Sequence, residues 1–324
     1  MTTPSRIITV TGSTGQRGGA VRVCPILRDH AAYTQSGLER LVRHGGFSIR
    51  AVTRNASSAS AQRLARLPNV KVFAADYNDP DSLVPAFQGA EVVFGMTNFF
   101  DSVAVNGGFG EVTQACDMAN IAKKTGVKLF IWSTSPSGII SSGGKIRGPS
   151  IVENKFMASV YLSTLGIPYL DLYVATYLQN WIRIKQFRRD ADGTLVFEQP
   201  VMKPDTKIGM VDLDRDLGLA VIKVLETYRE KPEILKDPLW CVGGQWCVND
   251  LVAEVKKQTG QDVHVVTTAT TGSDQLDQMY EYYNEWGVFR ALELPHPKNK
   301  ELGLELGTLE NFVRQEVVPH LQAL

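Results

Sequence analysis

A short β-branched strand that runs directly into a glycine-rich turn constrains the fold of this chain more than any other feature. The strand is Arg6–Thr11, and the turn follows with Gly12, Gly15 and Gly18. Glycine permits a tight turn and close approach of the backbone to a pyrophosphate, and a helix that follows directs free N–H groups at the phosphates. This glycine motif indicates a dinucleotide site only where a strand precedes it and a helix follows it. The sequence therefore predicts a dinucleotide site that includes Gly12, Thr14, Gly15, Gln16, Arg17 and Gly18.

Strands and helices alternate along the first half of the chain. The further predicted strands are 47–53, 70–74, 90–97, 127–133 and 169–173, and the predicted helices between them are 80–88, 111–125 and 152–165. This rhythm predicts βαβ units and an α/β fold with a doubly wound parallel Rossmann sheet. Beyond residue 176 the elements are shorter, with strands at 195–198 and 239–242 and helices at 213–228, 248–259, 273–286 and 309–320. We expect an NAD(P)-binding Rossmann domain at 1–175 and a smaller, irregular α/β region at 176–324, intertwined with it.

One segment departs from this rhythm. Ser48, on the second predicted strand, is 36 positions after Gly12, whereas a dinucleotide-binding βαβ unit takes about 30 residues in all. Residues 22–36 contain Pro25 and show no clear amphipathic stripe. They are interpreted as an insertion that splits or displaces the first helix. A genuine surface insertion and a short retained intron translated in frame are both open explanations.

The end of the second strand indicates which dinucleotide binds. NAD sites place Asp or Glu there to hold the ribose 2′-hydroxyl, whereas Arg accommodates a 2′-phosphate. This strand ends at Arg54, and no carboxylate follows before Asp76. Arg54 is therefore predicted to bind the 2′-phosphate through charge-assisted hydrogen bonds, with NADP(H) favoured over NAD(H). Asp76 and Tyr77, after the third strand, are candidates for the adenine edge or ordinary loop residues.

Composition excludes several function classes. The 34 basic and 34 acidic residues cancel, which argues against direct nucleic-acid binding as the main activity. No apolar run reaches the roughly 18 residues of a membrane span, and no signal-peptide pattern is present. The four cysteines (Cys24, Cys116, Cys241 and Cys247) lack metal-ligand spacing, so no metal site is predicted. We expect an intracellular protein, cytoplasmic, with the nucleus as an additional location.

A pocket is predicted at the carboxyl edge of the sheet, where open α/β folds bind ligands. Thr97 and Asn98 leave the fourth strand there and are candidates for the cofactor's ribose or nicotinamide. Candidates to line an apolar substrate cavity are Phe100, Tyr177, Trp181 and Met202. A core role for these residues is the alternative.

Several motifs in order resemble the NmrA-like group, atypical members of the short-chain dehydrogenase/reductase superfamily. These are 11–19 (TGSTGQRGG), 50–54 (RAVTR), 75–77 (ADY), 97–99 (TNF), and Lys155 followed by 166–169 (GIPY). The resemblance covers nearly the whole chain apart from the insertion. It implies one of two roles: a sensor of NADP redox state that regulates transcription through a protein partner such as a transcription factor, or an NADPH-dependent reductase of small molecules.

The resemblance also implies a catalytic test. Active short-chain reductases carry Tyr-x-x-x-Lys, in which Tyr donates a proton while Lys lowers its pKa and holds the ribose. Counting back from Lys155 places Ile151 in the Tyr position, and isoleucine cannot transfer a proton. Ser133 matches the usual Ser position. Lys155 and Ser133 are thus the catalytic candidates, and Lys155 is also a cofactor ligand. Tyr161, Tyr173 and Tyr177 are alternative proton donors, with packing as the competing explanation.

The missing Tyr favours the redox-state sensor with a protein partner. The alternative is an NADPH-dependent oxidoreductase of a small apolar carbonyl or alkene, supported by Lys155, Ser133 and the predicted pocket.

Overall fold

A parallel β-sheet with helices on both faces organises the chain. The computed structural model describes residues 6–13, 30–106, 109–183, 186–287, 289–290 and 292–324. Within these residues the strands are β1 (Arg6–Val10), β2 (Phe47–Thr53), β3 (Val70–Ala74), β4 (Val92–Gly95), β5 (Leu129–Thr134), β6 (Tyr169–Val174), β7 (Thr176–Tyr177), β8 (Phe187–Arg189), β9 (Leu195–Pro200), β10 (Ile208–Val211), β11 (Leu239–Cys241), β12 (Gly244–Trp246) and β13 (Val263–Thr268).

The helices follow the same chain order. They are α1 (His30–His44), α2 (Ala59–Ala65), α3 (Val84–Phe87), α4 (Phe99–Asn106), α5 (Gly110–Lys124), α6 (Gly138–Ser141), α7 (Ser150–Thr164), α8 (Asn180–Arg183), α9 (Leu213–Thr227), α10 (Val248–Thr259), α11 (Asp274–Glu285), α12 (Pro297–Glu301), α13 (Leu309–Phe312) and α14 (Val318–Gln322). A 3₁₀ turn at Pro80–Leu83 precedes α3, and another lies at Pro232–Leu235. None of the helices in the described part of the chain is long and apolar enough to cross a membrane.

The main sheet has seven strands in the order β11-β6-β5-β4-β1-β2-β3, all parallel. The strand order reverses between β1 and β4. This reversal opens a crevice at the carboxyl ends of these two strands, which is where open α/β sheets bind ligands. The predicted doubly wound Rossmann sheet is therefore confirmed.

Alternating side chains of the strands build a core on each face. On one face, Leu129 and Ile131 of β5 pack in the cluster that includes side chains of α1 and α9. On the other face, Phe130 and Trp132 pack in the cluster with Met118 of α5 and with α3 and α7. The apolar strands are thus buried on both sides, as parallel strands are.

Helix α1 overlaps the segment of the predicted insertion. Its residues 30–36 fall within the predicted 22–36, so the helix begins no later than His30, while residues 22–29 lie outside the described residues. Gly37 sits inside α1 because the helix crosses α9 closely there. A Cβ on Gly218 of α9 would lie 3.0 Å from the Gly37 carbonyl oxygen. The insertion itself stays a prediction.

The chain beyond residue 175 contributes to the main sheet and also builds smaller layers. Strand β11 adds to β6 at the sheet edge. Two three-stranded sheets, β12-β10-β7 and β13-β9-β8, lie in the C-terminal part. A third core, with Val248 and Leu251 of α10 and Phe312, fills this region. The predicted helix 309–320 is present as α13, a π turn at Val313–Val317 and α14.

Candidate functional site

The crevice between β1 and β4 holds the first of two adjoining cavities. Its lining residues lie at the carboxyl ends of β1 to β4 or shortly after them, except for Asp101 of α4 and Gln114 of α5. The lining residues are Gly12, Val52, Thr53, Arg54, Ala75, Asp76, Tyr77, Asn78, Met96, Thr97, Asn98, Asp101 and Gln114. We call this space the first cavity. The predicted Thr14, Gly15, Gln16, Arg17 and Gly18 lie outside the described residues.

Gly12 is required by the backbone and by the space around it. Its φ is +66°, in the left-handed region that favours glycine, and a Cβ would lie 3.0 Å from Cγ of Met96. The neighbouring Thr11 hydroxyl accepts a hydrogen bond from the Met96 N–H at 2.9 Å, which ties the ends of β1 and β4 together. The Tyr77 hydroxyl lies beside Thr11 and Gly12. Burial raises the pKa of Tyr77 to about 12, so its phenol is neutral at physiological pH.

Arg54 lines the first cavity and is paired. Its guanidinium donates to the Asp101 carboxylate of α4 at 2.8 Å. Asp76 lines the same space, and its carboxylate accepts from the Asn78 N–H at 2.9 Å. Asn98 also lines it, while its side-chain oxygen accepts from the Phe100 N–H and so caps the start of α4.

A second cavity adjoins the first, with Met96 and Thr97 lining both. Most of its wall is apolar and aromatic. The remaining lining residues are Phe99, Phe100, Ser133, Ser135, Ile151, Val152, Lys155, Val174, Ala175, Thr176, Tyr177, Asn180, Leu276, Met279, Tyr280, Tyr283 and Phe289. The predicted Phe100, Ser133, Lys155 and Tyr177 are thus brought together, and Ile151 stands among them.

Lys155 lies where the two cavities meet and is held by three oxygens. Its ammonium nitrogen is 2.7 Å from Oε1 of Glu111, 3.0 Å from the carbonyl oxygen of Thr97 and 3.3 Å from its hydroxyl. The Thr97 hydroxyl donates to the same Glu111 oxygen at 2.7 Å. The Glu111 side chain is fully buried and that of Lys155 is 22% exposed, so this ion pair joins α7, α5 and the end of β4 with the carboxylate shielded from water.

Other predicted residues lie away from the second cavity. Trp181 and Met202 are buried in the C-terminal core and do not line the cavity. Their pocket role is corrected: apolar packing in that core accounts for both side chains. The Tyr161 hydroxyl donates to Asn120 at 2.8 Å, and Tyr173 packs edge-on against Trp240.

Sequence reasoning missed three contributors to the site. Glu111 and Asp101 are acidic residues at the starts of helices, a position that usually indicates only interaction with the helix dipole. Helix α11 supplies Leu276, Met279, Tyr280 and Tyr283, and it lies more than a hundred residues beyond Lys155 in sequence. Long-range packing brings it to the cavity, and no local pattern reports such a contact.

A doubly wound sheet with a glycine at the β1 crevice, an arginine at the end of β2 and an adjoining apolar cavity defines the Rossmann class of α/β proteins. The NmrA-like family matches residues 4–313. The chain belongs to the NmrA-like family, and the resemblance inferred from its motifs is confirmed.

Sequence relatives and solved structures agree with this membership. An NmrA-like family domain-containing oxidoreductase of Aspergillus hancockii, hkm9, is 28% identical over 228 residues, 67% of this chain and 63% of the relative. The chain thus spans less than two thirds of that relative's length. An NmrA-like family domain-containing protein of Dictyostelium discoideum is 24% identical over 88% of this chain and 89% of its own length.

Two solved structures share the fold. NmrA, a negative transcriptional regulator in complex with NADP, superposes with a TM-score of 0.77 over 99% of this chain and 98% of its own, at 18% identity. The NADPH complex of a quinone oxidoreductase from Escherichia coli gives a TM-score of 0.64 over 95% of this chain and 98% of its own, at 21% identity.

Proposed function

We propose that this protein binds a nicotinamide dinucleotide in the first cavity, NADP(H) in preference to NAD(H), and reduces a small apolar carbonyl or alkene compound in the second. The observation that carries the proposal is the shared wall of Met96 and Thr97 between the two cavities. A dinucleotide that extends from Arg54 towards this wall brings its nicotinamide end to the mouth of the apolar space.

Features of the described residues fit a dinucleotide. Gly12 leaves the space beside Met96 that a Cβ would fill, and it lies at the crevice where the strand order reverses. Arg54 supplies the guanidinium for a 2′-phosphate, and Thr97 and Asn98 lie towards the nicotinamide end. NADP in the NmrA complex and NADPH in the quinone oxidoreductase complex support the same cofactor class.

A bound, reduced nicotinamide supplies a hydride, and the chain's own residues provide the surroundings in which it is used. Phe100, Ile151 and Met279 make the second cavity apolar, which favours an apolar acceptor and limits water. Lys155 and Glu111 fix Thr97 at the boundary, so the end of β4 presents a defined edge to both cavities. Lys155 is thereby a positioning residue, and its contact with the ribose remains a prediction.

Reduction also requires a proton, and Tyr283 is placed to hold one. Its hydroxyl lies 3.3 Å from the Thr176 hydroxyl in the wall of the second cavity. The phenol is neutral at physiological pH and can donate a hydrogen bond to a substrate oxygen, whereas burial raises the pKa of Tyr283 and so makes it a weaker acid than a Tyr whose pKa a lysine lowers. This role replaces the Tyr that Ile151 excludes.

Substrate-dependent oxidation of NADPH by quinones, enones and ketones tests the proposal. At least one compound should accelerate oxidation, and Tyr283→Phe should lower kcat about tenfold or more while the Kd for NADPH stays unchanged. Tyr161→Phe is the matched control, because Tyr161 lies away from the second cavity. NADPH binding with no acceleration by any compound would contradict reduction.

Redox sensing is the second candidate function. Ile151 in the position of the usual Tyr favours it, and NmrA is named as a negative transcriptional regulator. A sensor must present different surfaces in its two redox states, so recovery of a protein partner from lysate should differ between NADP⁺ and NADPH. Identical recoveries would count against sensing.

A further inference from the structure

The ion pair of Arg54 and Asp101 lies in the wall of the first cavity. The guanidinium and carboxylate are 2.8 Å apart, and their side chains are 34% and 36% exposed. Both residues line the cavity, so they remain accessible to a ligand inside it. The carboxylate of Asp101 therefore already occupies the position in which the Arg54 guanidinium would bind an anionic ligand.

Within the described lining of the first cavity, the charges around this pair are unfavourable to a second anion. Among the described residues that line the first cavity, Arg54 is the only cation, and Asp76 and Asp101 are carboxylates. Carboxylate and phosphate compete for the same donors of a guanidinium. A phosphate that reaches Arg54 must therefore take the place of Asp101 or be repelled by it.

We propose that Asp101 is an internal counter-ion that competes with the 2′-phosphate of NADP(H) for Arg54. NADP(H) binding separates Asp101 from Arg54, whereas NAD(H) binding leaves the pair intact. Asp101 therefore makes the ratio of the affinities for NADP(H) and NAD(H) smaller than Arg54 alone would give. The inference rests on the proposed function, because it takes Arg54 as the ligand of the 2′-phosphate.

Helix α4 extends the consequence to the second cavity. Asp101 lies in its first turn, directly after Phe99 and Phe100, which line the second cavity. Those two rings pack edge to face, with centroids 5.2 Å apart. The ion pair with Arg54 ties the first turn of α4, next to these rings, to the end of β2. NADP(H) breaks this ion pair and so frees the first turn of α4, whereas NAD(H) leaves it tied.

Titration of NADPH, NADH, 2′,5′-ADP and 5′-AMP into four proteins tests the competition. The proteins are the wild type, Asp101→Asn, Arg54→Ala and the double variant. Asp101→Asn should bind NADPH and 2′,5′-ADP about fivefold more tightly, with NADH and 5′-AMP changed less than twofold. In the Arg54→Ala background the same substitution should gain less than twofold, because no competition remains.

The outcomes separate this proposal from the proposed function. If Arg54→Ala leaves the Kd for NADPH unchanged, the assignment of Arg54 fails and takes the competition with it. If Arg54→Ala weakens NADPH but Asp101→Asn gives no gain, only the competition is overturned. Equal gains in both backgrounds also overturn it, because they indicate repulsion that does not involve Arg54.

Controls and a second measurement complete the design. Asp81→Asn removes a carboxylate outside the cavity that pairs with Lys124, and it should leave all four Kd values unchanged. Thermal unfolding checks each variant, and Asp101→Ala replaces Asp101→Asn should the latter not fold. Amide hydrogen exchange in the first turn of α4 should be faster with NADP⁺ than with NAD⁺ in the wild type and equal in Asp101→Asn. Equal rates in the wild type would overturn the release of α4.

Discussion

The ammonium of Lys155 lies 2.7 Å from Oε1 of Glu111, a carboxylate with no exposed side-chain surface. Thr97 completes the arrangement by donating to the same oxygen. A charge that is buried and paired in this way is costly to leave alone. Lys155 therefore supports the structure at the junction of the two cavities, in addition to any contact with a cofactor, and its substitution affects folding as well as function.

Replacement of Lys155 should destabilise the protein strongly. Lys155→Met leaves the Glu111 carboxylate buried without its cation, and the free energy of unfolding should fall by about 3 to 5 kcal/mol. Addition of Glu111→Gln should restore part of this loss. Urea unfolding measures both. Lys124→Met, which removes an exposed lysine, is the control and should change stability by less than about 1 kcal/mol. A loss of the same small size in Lys155→Met would show that the pair is not important for stability.

Arg54 should determine the preference for the phosphorylated dinucleotide. Arg54→Ala removes charge-assisted hydrogen bonds to the 2′-phosphate, and we expect the Kd for NADPH to rise about 10- to 100-fold while that for NADH changes less than twofold. Arg63→Ala, on α2 and outside the first cavity, is the matched control. Calorimetric titration measures these Kd values, and an unchanged Kd for NADPH in Arg54→Ala would refute the role of Arg54.

Gly12→Ala should impair binding of both dinucleotides. The new methyl group meets Met96 and forces a side chain into the left-handed region, at a cost of about 1 to 2 kcal/mol. Gly89→Ala is a matched control, since Gly89 has φ +73° and no neighbour within 4 Å of its Cβ position. Both variants should lose stability, but only Gly12→Ala should weaken NADPH and NADH, by about tenfold. If Gly12→Ala and Gly89→Ala bound NADPH and NADH with equal affinity, this result would contradict a dinucleotide site at the turn that contains Gly12.

Stability should depend on pH through Asp171. Burial raises the pKa of this carboxyl on β6 to about 6, and one of its oxygens has no hydrogen-bond partner in the described part of the chain. The folded pKa exceeds the unfolded value of about 3.9, so the folded state binds more protons between these values and stability falls as pH rises through that window. Asp171→Asn removes this dependence.

The expected gain follows from the size of the shift. Asp171→Asn should stabilise the protein by about 1 to 3 kcal/mol at pH 7.5 and by much less at pH 4. Unfolding in urea at the two pH values measures it, with the exposed Asp81→Asn as a reference. A stabilisation that does not change with pH would show that Asp171 titrates normally in the folded state.

Much of the fold could be predicted from local patterns. The strands before residue 175 alternate with helices, and their apolar runs mark a sheet buried on both faces, as β5 illustrates. Arg54 and Tyr77 were found because the carboxyl ends of parallel strands meet at one edge. These parts of the site depend on strand position alone.

The remainder depends on contacts distant in sequence. Gly37 lies inside α1 because α1 and α9 cross closely at this point. The crossing also depends on Gly218 of α9, which is far along the chain. The pairing of Lys155 with Glu111, and of Arg54 with Asp101, depends on how α5, α7 and α4 pack, which no spacing encodes. Trp181 was misplaced for the same reason, since an aromatic residue after the sheet packs equally well in a core or a pocket.

A crystal structure of the protein with NADP⁺ would show directly whether the dinucleotide joins the two cavities. We expect the 2′-phosphate on Arg54, with Asp101 displaced, and the nicotinamide ring beside Met96 and Thr97 at the opening of the second cavity. A dinucleotide bound elsewhere, or a nicotinamide ring that does not face the second cavity, would contradict it.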